Sequence, residues 1–127
     1  MSPDVDSLTY RVIGSALMIH RELGPGLLES VYHTVLYRDL VSRGLFVESK
    51  KWISFDYGGH RFENVGQADL VVERTLVIEI KSVLKLDPVF EKQLLTYMRL
   101  LECKVGLLLN FRTALMKDGI KRLVHNY

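Results

Sequence analysis

The sequence predicts an α/β sandwich, a central mixed sheet with helices on its faces, and three observations carry that expectation. Apolar residues recur at helical spacing in the first third of the chain and at strand spacing after it. Two neighbouring runs, residues 67–73 and 76–81, are apolar at alternating and intervening positions, as strands buried on both faces are. An Asp-Pro pair at 87–88 then opens a helix that leads into a short, wholly apolar run, the arrangement a parallel crossover requires.

The elements follow in order. Leu8, Val12, Ile13, Ala16, Leu17 and Ile19 fall near one helical face and predict a first helix over 7–23. Gly24-Pro25-Gly26 ends it, because glycine reaches positive φ and proline cannot continue a helix. Leu28, Val31, Tyr32, Val35, Leu36 and Leu40 predict a second helix over 27–43, with Arg43 suiting the negative end of its dipole and Gly44 its cap. From Phe46 the period falls to two. Trp52, Ile53, Phe55 and Tyr57 predict a strand, Gly58-Gly59 a turn, and residues 61–65 a returning strand. Residues 67–73 and 76–81 come next, joined by a very short connection. Asp87 is the N-cap and Pro88 the first residue of a helix to 101. Residues 104–110 read as a buried strand and 120–125 as a last one.

The 127 residues suit one domain over 1–127, since domains run to roughly 100–200 residues. An apolar share of 48% with 25% charged residues fits a globular core and excludes disorder. Seventeen Lys and Arg against fifteen Asp and Glu leave a net charge of +2, which excludes a protein that holds nucleic acid by charge alone. The basic surplus lies late in the chain, where Lys104, Arg112, Lys117, Lys121 and Arg122 face only Asp118. The single cysteine, Cys103, excludes an internal disulfide and a cysteine zinc site. The longest stretch without a charged residue, 12–20, falls short of the roughly 18 residues of a membrane span. The Met-Ser-Pro-Asp start lacks the basic beginning of a secretory signal. A cytoplasmic protein with no membrane partner is expected.

Three charges interrupt the buried strands: Asp69, Glu79 and Lys81. An unpaired buried charge costs several kcal/mol or changes its protonation state, so these groups must be paired, hydrated at a sheet end or bound to a metal. Glu79 and Lys81 are two apart and share a strand face. Asp69 joins them only if the connection between the strands has the right parity. A two-residue loop at Arg74-Thr75 sets Leu70 opposite Glu79 and turns Asp69 away. An odd loop, or a bulge, brings Asp69 to the same face, and that is the expectation here. Two converging carboxylates suit Mg²⁺ or Mn²⁺, and a lysine beside them suits an attacking water or a phosphate. A structural carboxylate–lysine pair fits the same residues.

Asp69, nine residues, then Glu79-Ile80-Lys81 on neighbouring strands followed by a helix resembles the PD-(D/E)xK nuclease superfamily, although Ala68 stands where that motif has proline. Gln93-Leu-Leu-Thr-Tyr97 is similar to the Q-x-x-x-Y signature of its RecB-like members, with Gln93 and Tyr97 on one helix face. Gly26-Leu-Leu-Glu29-Ser-Val-Tyr32 resembles the pattern that names the GxxExxY family, a bacterial and archaeal branch. That likeness runs on through His20-Arg-Glu-Leu-Gly-Pro-Gly and the late segments around Asn110 and Asp118.

The resemblance implies a restriction-endonuclease-like three-layer sandwich and a nuclease that hydrolyses phosphodiester bonds with Mg²⁺ or Mn²⁺. It implies Glu29, Asp69, Glu79 and the Ile80 carbonyl as metal ligands, Lys81 as the residue that activates or positions water, and Gln93 and Tyr97 at the border of the site. Tyr32 and His20 would support it. Arg112, Lys117, Lys121 and Arg122 would touch a nucleic-acid backbone, DNA ahead of RNA. The alternative is a module that keeps the nuclease fold without turnover and binds nucleic acid or protein. A third reading is a structural homodimer, suggested by more leucines around 94–101 than one helix face buries.

Overall fold

A computed structural model describes residues 4–127; residues 1–3, on which the reading of the N-terminal start rests, lie outside the described residues. Helix α1 (Val5–Leu23) is capped by Asp4, whose carboxylate accepts the Ser7 N–H at 3.2 Å. It stops at Gly24, which takes φ 73° and returns its N–H to the His20 carbonyl at 2.8 Å. Helix α2 (Glu29–Ser42) starts two residues later than the periodicity predicts, so Glu29 is its first helical residue. Among the described residues no helix is long and apolar enough to cross a membrane.

Five strands follow: β1 (Val47–Tyr57), β2 (His60–Val72), β3 (Leu76–Lys81), β4 (Val105–Asn110) and β5 (Ile120–Val124). They lie in sequence order, β1-β2-β3-β4-β5, in one sheet. Every neighbouring pair is antiparallel except β3 and β4, which α3 (Pro88–Leu100) joins as the expected crossover. Two clusters make the layers. Leu8, Val12, Leu36 and Leu40 from α1 and α2 pack with Leu70, Ile78, Ile80 and Leu107 on one side of the sheet. Leu94 and Met98 from α3 pack with Ile53, Ala68, Val71, Val77 and Leu108 on the other.

Two sequence expectations change. The two strands read at 61–65 and 67–73 are one continuous β2, with a register shift against β1 between Ile53 and Phe55. Asn64 absorbs it at φ 54°, its N–H bonded to Ser54 Oγ at 3.2 Å. The α3 leucines are accommodated within the chain: Leu94 is fully buried, Leu95 and Leu101 pack on its cluster, and Leu100 alone is exposed. They therefore give no ground for a dimer. Cys103 is buried beside the same cluster.

A second irregularity shapes the rest of the molecule. Ser49 pairs with Leu70 and Lys51 with Ala68, but Lys50 and Asp69 between them do not pair, and Lys50 sits at φ 53°. Ala68 and Val71, three residues apart, both pack toward α3. Regular alternation would send them to opposite faces, so the pleat slips by one at Asp69. Bulged strands bend and twist here, and β2 leaves β3 at this point.

The segment between β4 and β5 is held by close approach. A Cβ at Gly119 would collide with the Asn110 carbonyl and press on Thr113 Oγ1. Gly119→Ala is expected to cost about 1–3 kcal/mol or more, read as a lower urea midpoint, because the obstacle is backbone and cannot swing aside.

Candidate functional site

The connection between β2 and β3 settles the parity. Val72 pairs with Leu76, Val71 with Val77 and Leu70 with Ile78, so residues 73–75 form an odd loop. Glu73 and Arg74 supply its tight path at φ 51° and 57°. Asp69 and Glu79 therefore come opposite each other where pairing ends and the strands fork. The Asp69 N–H donates to Glu79 Oε2 at 3.0 Å, and the Ile80 N–H donates to Asp69 Oδ2 at 2.7 Å. Each carboxylate replaces a main-chain acceptor that the fork removes, which satisfies the freed amides and fixes both side chains.

Glu79 is buried. Burial pushes its carboxyl up to about 9, reinforced by the Asp69 charge and by the hydrogen bond that a protonated Glu79 donates to Asp69. The Asp69 N–H and Lys81 pull weakly the other way. Glu29 reaches the fork from the first turn of α2. Partial burial raises its pKa first, Lys81 opposes that, Asp69 adds to it, and the Ser82 amide lowers it. Lys81 is half-buried with its ammonium 4.5 Å from the centroid of the Phe90 ring. It forms no ion pair among the described residues.

The scaffold around these groups is closely tied. Tyr32 is fully buried, stacks on Phe111 with centroids 4.5 Å apart, and donates to the Gly24 carbonyl at 2.5 Å. Its hydroxyl also accepts the Leu27 N–H at 3.1 Å. Tyr32 thus locks the glycine turn that starts α2, and its effect on Glu29 runs through that turn. Ser82 Oγ ties the end of β3 to the same turn through the Leu27 carbonyl at 3.0 Å. Asn110, buried, accepts the Val83 N–H at 3.1 Å and donates to the Val83 carbonyl at 2.9 Å, pinning the chain just after Lys81. Tyr32→Phe is expected to lose about 1–2 kcal/mol in urea unfolding, because the partly buried Gly24 carbonyl and the Leu27 amide both lose their hydroxyl partner.

Sequence reading missed His33. It lies one turn after Glu29, is buried, and its Nε2 sits 2.8 Å from Ser49 Oγ. Burial lowers its pKa, with Asp69 opposing and Lys50 adding to the effect. The i, i+4 spacing from Glu29 was the available signal.

The other expected residues lie on elements around the fork. Gln93 is exposed on α3. Tyr97 packs its ring onto the bare backbone of Gly66 in β2, where a Cβ would lie 2.9 Å from the ring. His20 is buried and its Nε2 lies 2.8 Å from the Thr113 carbonyl, a tie between α1 and the segment after β4. Lys121 is paired with Glu91 at 2.5 Å and Arg122 with Asp6 at 2.8 Å. Arg112 and Lys117 are exposed. Of the late basic residues, Lys121 and Arg122 are thus engaged within the chain, while Arg112 and Lys117 are open to solvent.

The donor set fits a hard divalent cation. Burial first, and then the Asp69 charge beside it, raise the Glu79 carboxyl, and a cation in place of its proton would offset both. Among the described residues no group of three His, Cys, Asp or Glu side chains forms a ready metal cage. Magnesium-like ions commonly take one or two carboxylates and keep water or substrate phosphate on the remaining positions.

Comparison with family models matches residues 6–123 to the PD-(D/E)XK nuclease superfamily. Comparisons with curated proteins and with solved structures returned no match.

Proposed function

The chain belongs to the PD-(D/E)XK nuclease superfamily, and on that premise we propose that it is a metal-dependent nuclease whose catalytic set is Asp69, Glu79 and Lys81. The observation that carries the reading is the fork, where the Asp69 and Glu79 carboxylates each accept an amide of the opposite strand. Such mutual bracing holds two acids in a fixed geometry before any cation binds, the preorganisation that a catalytic metal site needs.

Asp69 and Glu79 would hold Mg²⁺ or Mn²⁺, with the Ile80 carbonyl as a further donor and Glu29 acting directly or through water. When bound, the ion supplies charge stabilisation at the scissile phosphate and a more acidic water. Lys81 would orient an attacking water or meet the charge growing on the phosphate. The Phe90 ring beneath its ammonium holds it in place on the α3 side of the sheet. Tyr97 braces β2 through Gly66, so it positions the strand that carries Asp69. Gln93 lies on the same helix face, toward solvent, where it can meet substrate. DNA is the first substrate to test, with RNA beside it.

The test is cleavage of labelled DNA and RNA with Mg²⁺, with Mn²⁺ and with EDTA. Cleavage is expected only with a divalent ion and is expected to vanish in Asp69→Ala and Lys81→Ala. Undiminished cleavage by both variants would overturn the assignment.

A further inference from the structure

We propose that Trp52 and Gln67 form a base-stacking platform beside the fork, which makes unpaired, single-stranded nucleic acid the substrate class. This rests on the nuclease reading and goes beyond it, because none of the catalytic residues distinguishes one strand from two.

Trp52 and Gln67 are cross-strand partners in β1 and β2. Their neighbours Ile53 and Ala68 pack toward α3, so alternation turns Trp52 and Gln67 to the opposite face. That is the face Ser49 presents to His33 of α2, because the slip at Lys50 keeps Ser49 and Trp52 on one side although they are three apart. Helix α2 does not cover Trp52. The indole is 57% exposed, on a strand whose other large apolar residue in this stretch, Ile53, is buried. Gln67 is two residues from Asp69. At about 3.3 Å per residue along a strand and about 4.8 Å between strands, the backbone of Trp52 lies roughly 8 Å from that of Asp69. A nucleotide or two next to the scissile phosphate spans that gap.

The surroundings favour stacking over charge. The hairpin carries Lys50, Lys51 and Arg61 against Glu48, Asp56, Glu63 and Asp69, and Lys51 and Arg61 are engaged with Glu48 and Asp56 at 2.7 Å and 3.4 Å. Lys121 and Arg122 are held by Glu91 and Asp6. With a net charge of +2, the chain has little to grip a duplex backbone. An exposed indole offers a flat face to any unpaired base, and a glutamine beside it offers a donor and an acceptor to the base edge. A paired duplex presents no such free face away from its ends.

Trp52 is the one tryptophan of the chain, so its own fluorescence is the probe. The wild-type protein, in EDTA to prevent cleavage, is titrated with oligothymidylate, oligouridylate and a duplex of mixed sequence. Anisotropy of labelled strands is read in parallel. Saturable quenching by the single strands, weak or absent with the duplex, is the expected result. Trp52→Ala is expected to weaken single-strand binding roughly 5- to 150-fold, and Trp52→Phe to recover part of it. Binding seen by anisotropy without quenching overturns the platform, as does unchanged affinity in Trp52→Ala. A concentration-dependent blue shift without any oligonucleotide assigns the indole to a contact between copies and also overturns it. All three leave the nuclease reading standing, since that reading fails only in the cleavage assay.

Discussion

Metal-free protein is expected to lose stability as pH rises from about 5 to about 9, and Glu79→Gln is expected to remove that slope. The carboxyl of Glu79 lies near 9 in the folded chain against 4.5 for the free side chain. Below 4.5 both folded and unfolded chains carry the proton, and the contribution is fully present. Between 4.5 and about 9 only the folded chain keeps it, so unfolding releases a proton and stability falls by up to about 1.4 kcal/mol per pH unit. A divalent ion reverses the trend. It takes the place of the proton, so its affinity is expected to rise toward tenfold per pH unit across the same window. Urea unfolding with EDTA and with Mn²⁺ at about pH 6 and about pH 8 reads both slopes. Parallel slopes for wild type and Glu79→Gln would show that the fork does not hold the proton.

Lys81→Met is expected to lower kcat by about 10²–10³-fold while leaving the urea midpoint close to wild type. Its ammonium has a ring beneath it and no ion pair among the described residues, so removing it leaves no buried carboxylate stripped of a salt bridge. Lys81→Arg keeps the charge but spreads it over a planar fork that cannot follow one water, and is expected to recover little activity. Single-turnover cleavage separates this loss from weaker binding.

Much of the fold was legible because its punctuation is local. Gly24-Pro25-Gly26 ends α1, and Asp87-Pro88 starts α3, whose direction makes β3 and β4 parallel. The acid pair was legible because charge in an apolar strand needs a partner. Its parity was legible only as a choice between two loop lengths. The odd loop takes Glu73 and Arg74 to positive φ without a glycine to announce it. The slip at Lys50 and Asp69 has no sequence signature either, since lysine seldom marks a left-handed residue. With the slip unseen, Trp52 could not be assigned to the side of the sheet it occupies. The basic residues near the C-terminus looked free because their partners, Asp6 and Glu91, come from distant parts of the chain.

The Asn110 network belongs to the same lesson. Asn110 ends the apolar run read at 104–110, and its amide bonds Val83 in both directions and fixes the exit of β3. Its partner is 27 residues away, beyond any local pattern.

The central claim is that Asp69 and Glu79 hold one divalent ion in the fork between β2 and β3. A crystal grown with Mn²⁺ and measured for anomalous scattering tests it most directly. The expected result is a single strong peak in coordination contact with both carboxylates, absent from an Asp69→Ala crystal grown the same way. A fork without a peak, or a peak held elsewhere with Glu79 still bonded to Asp69, would contradict it.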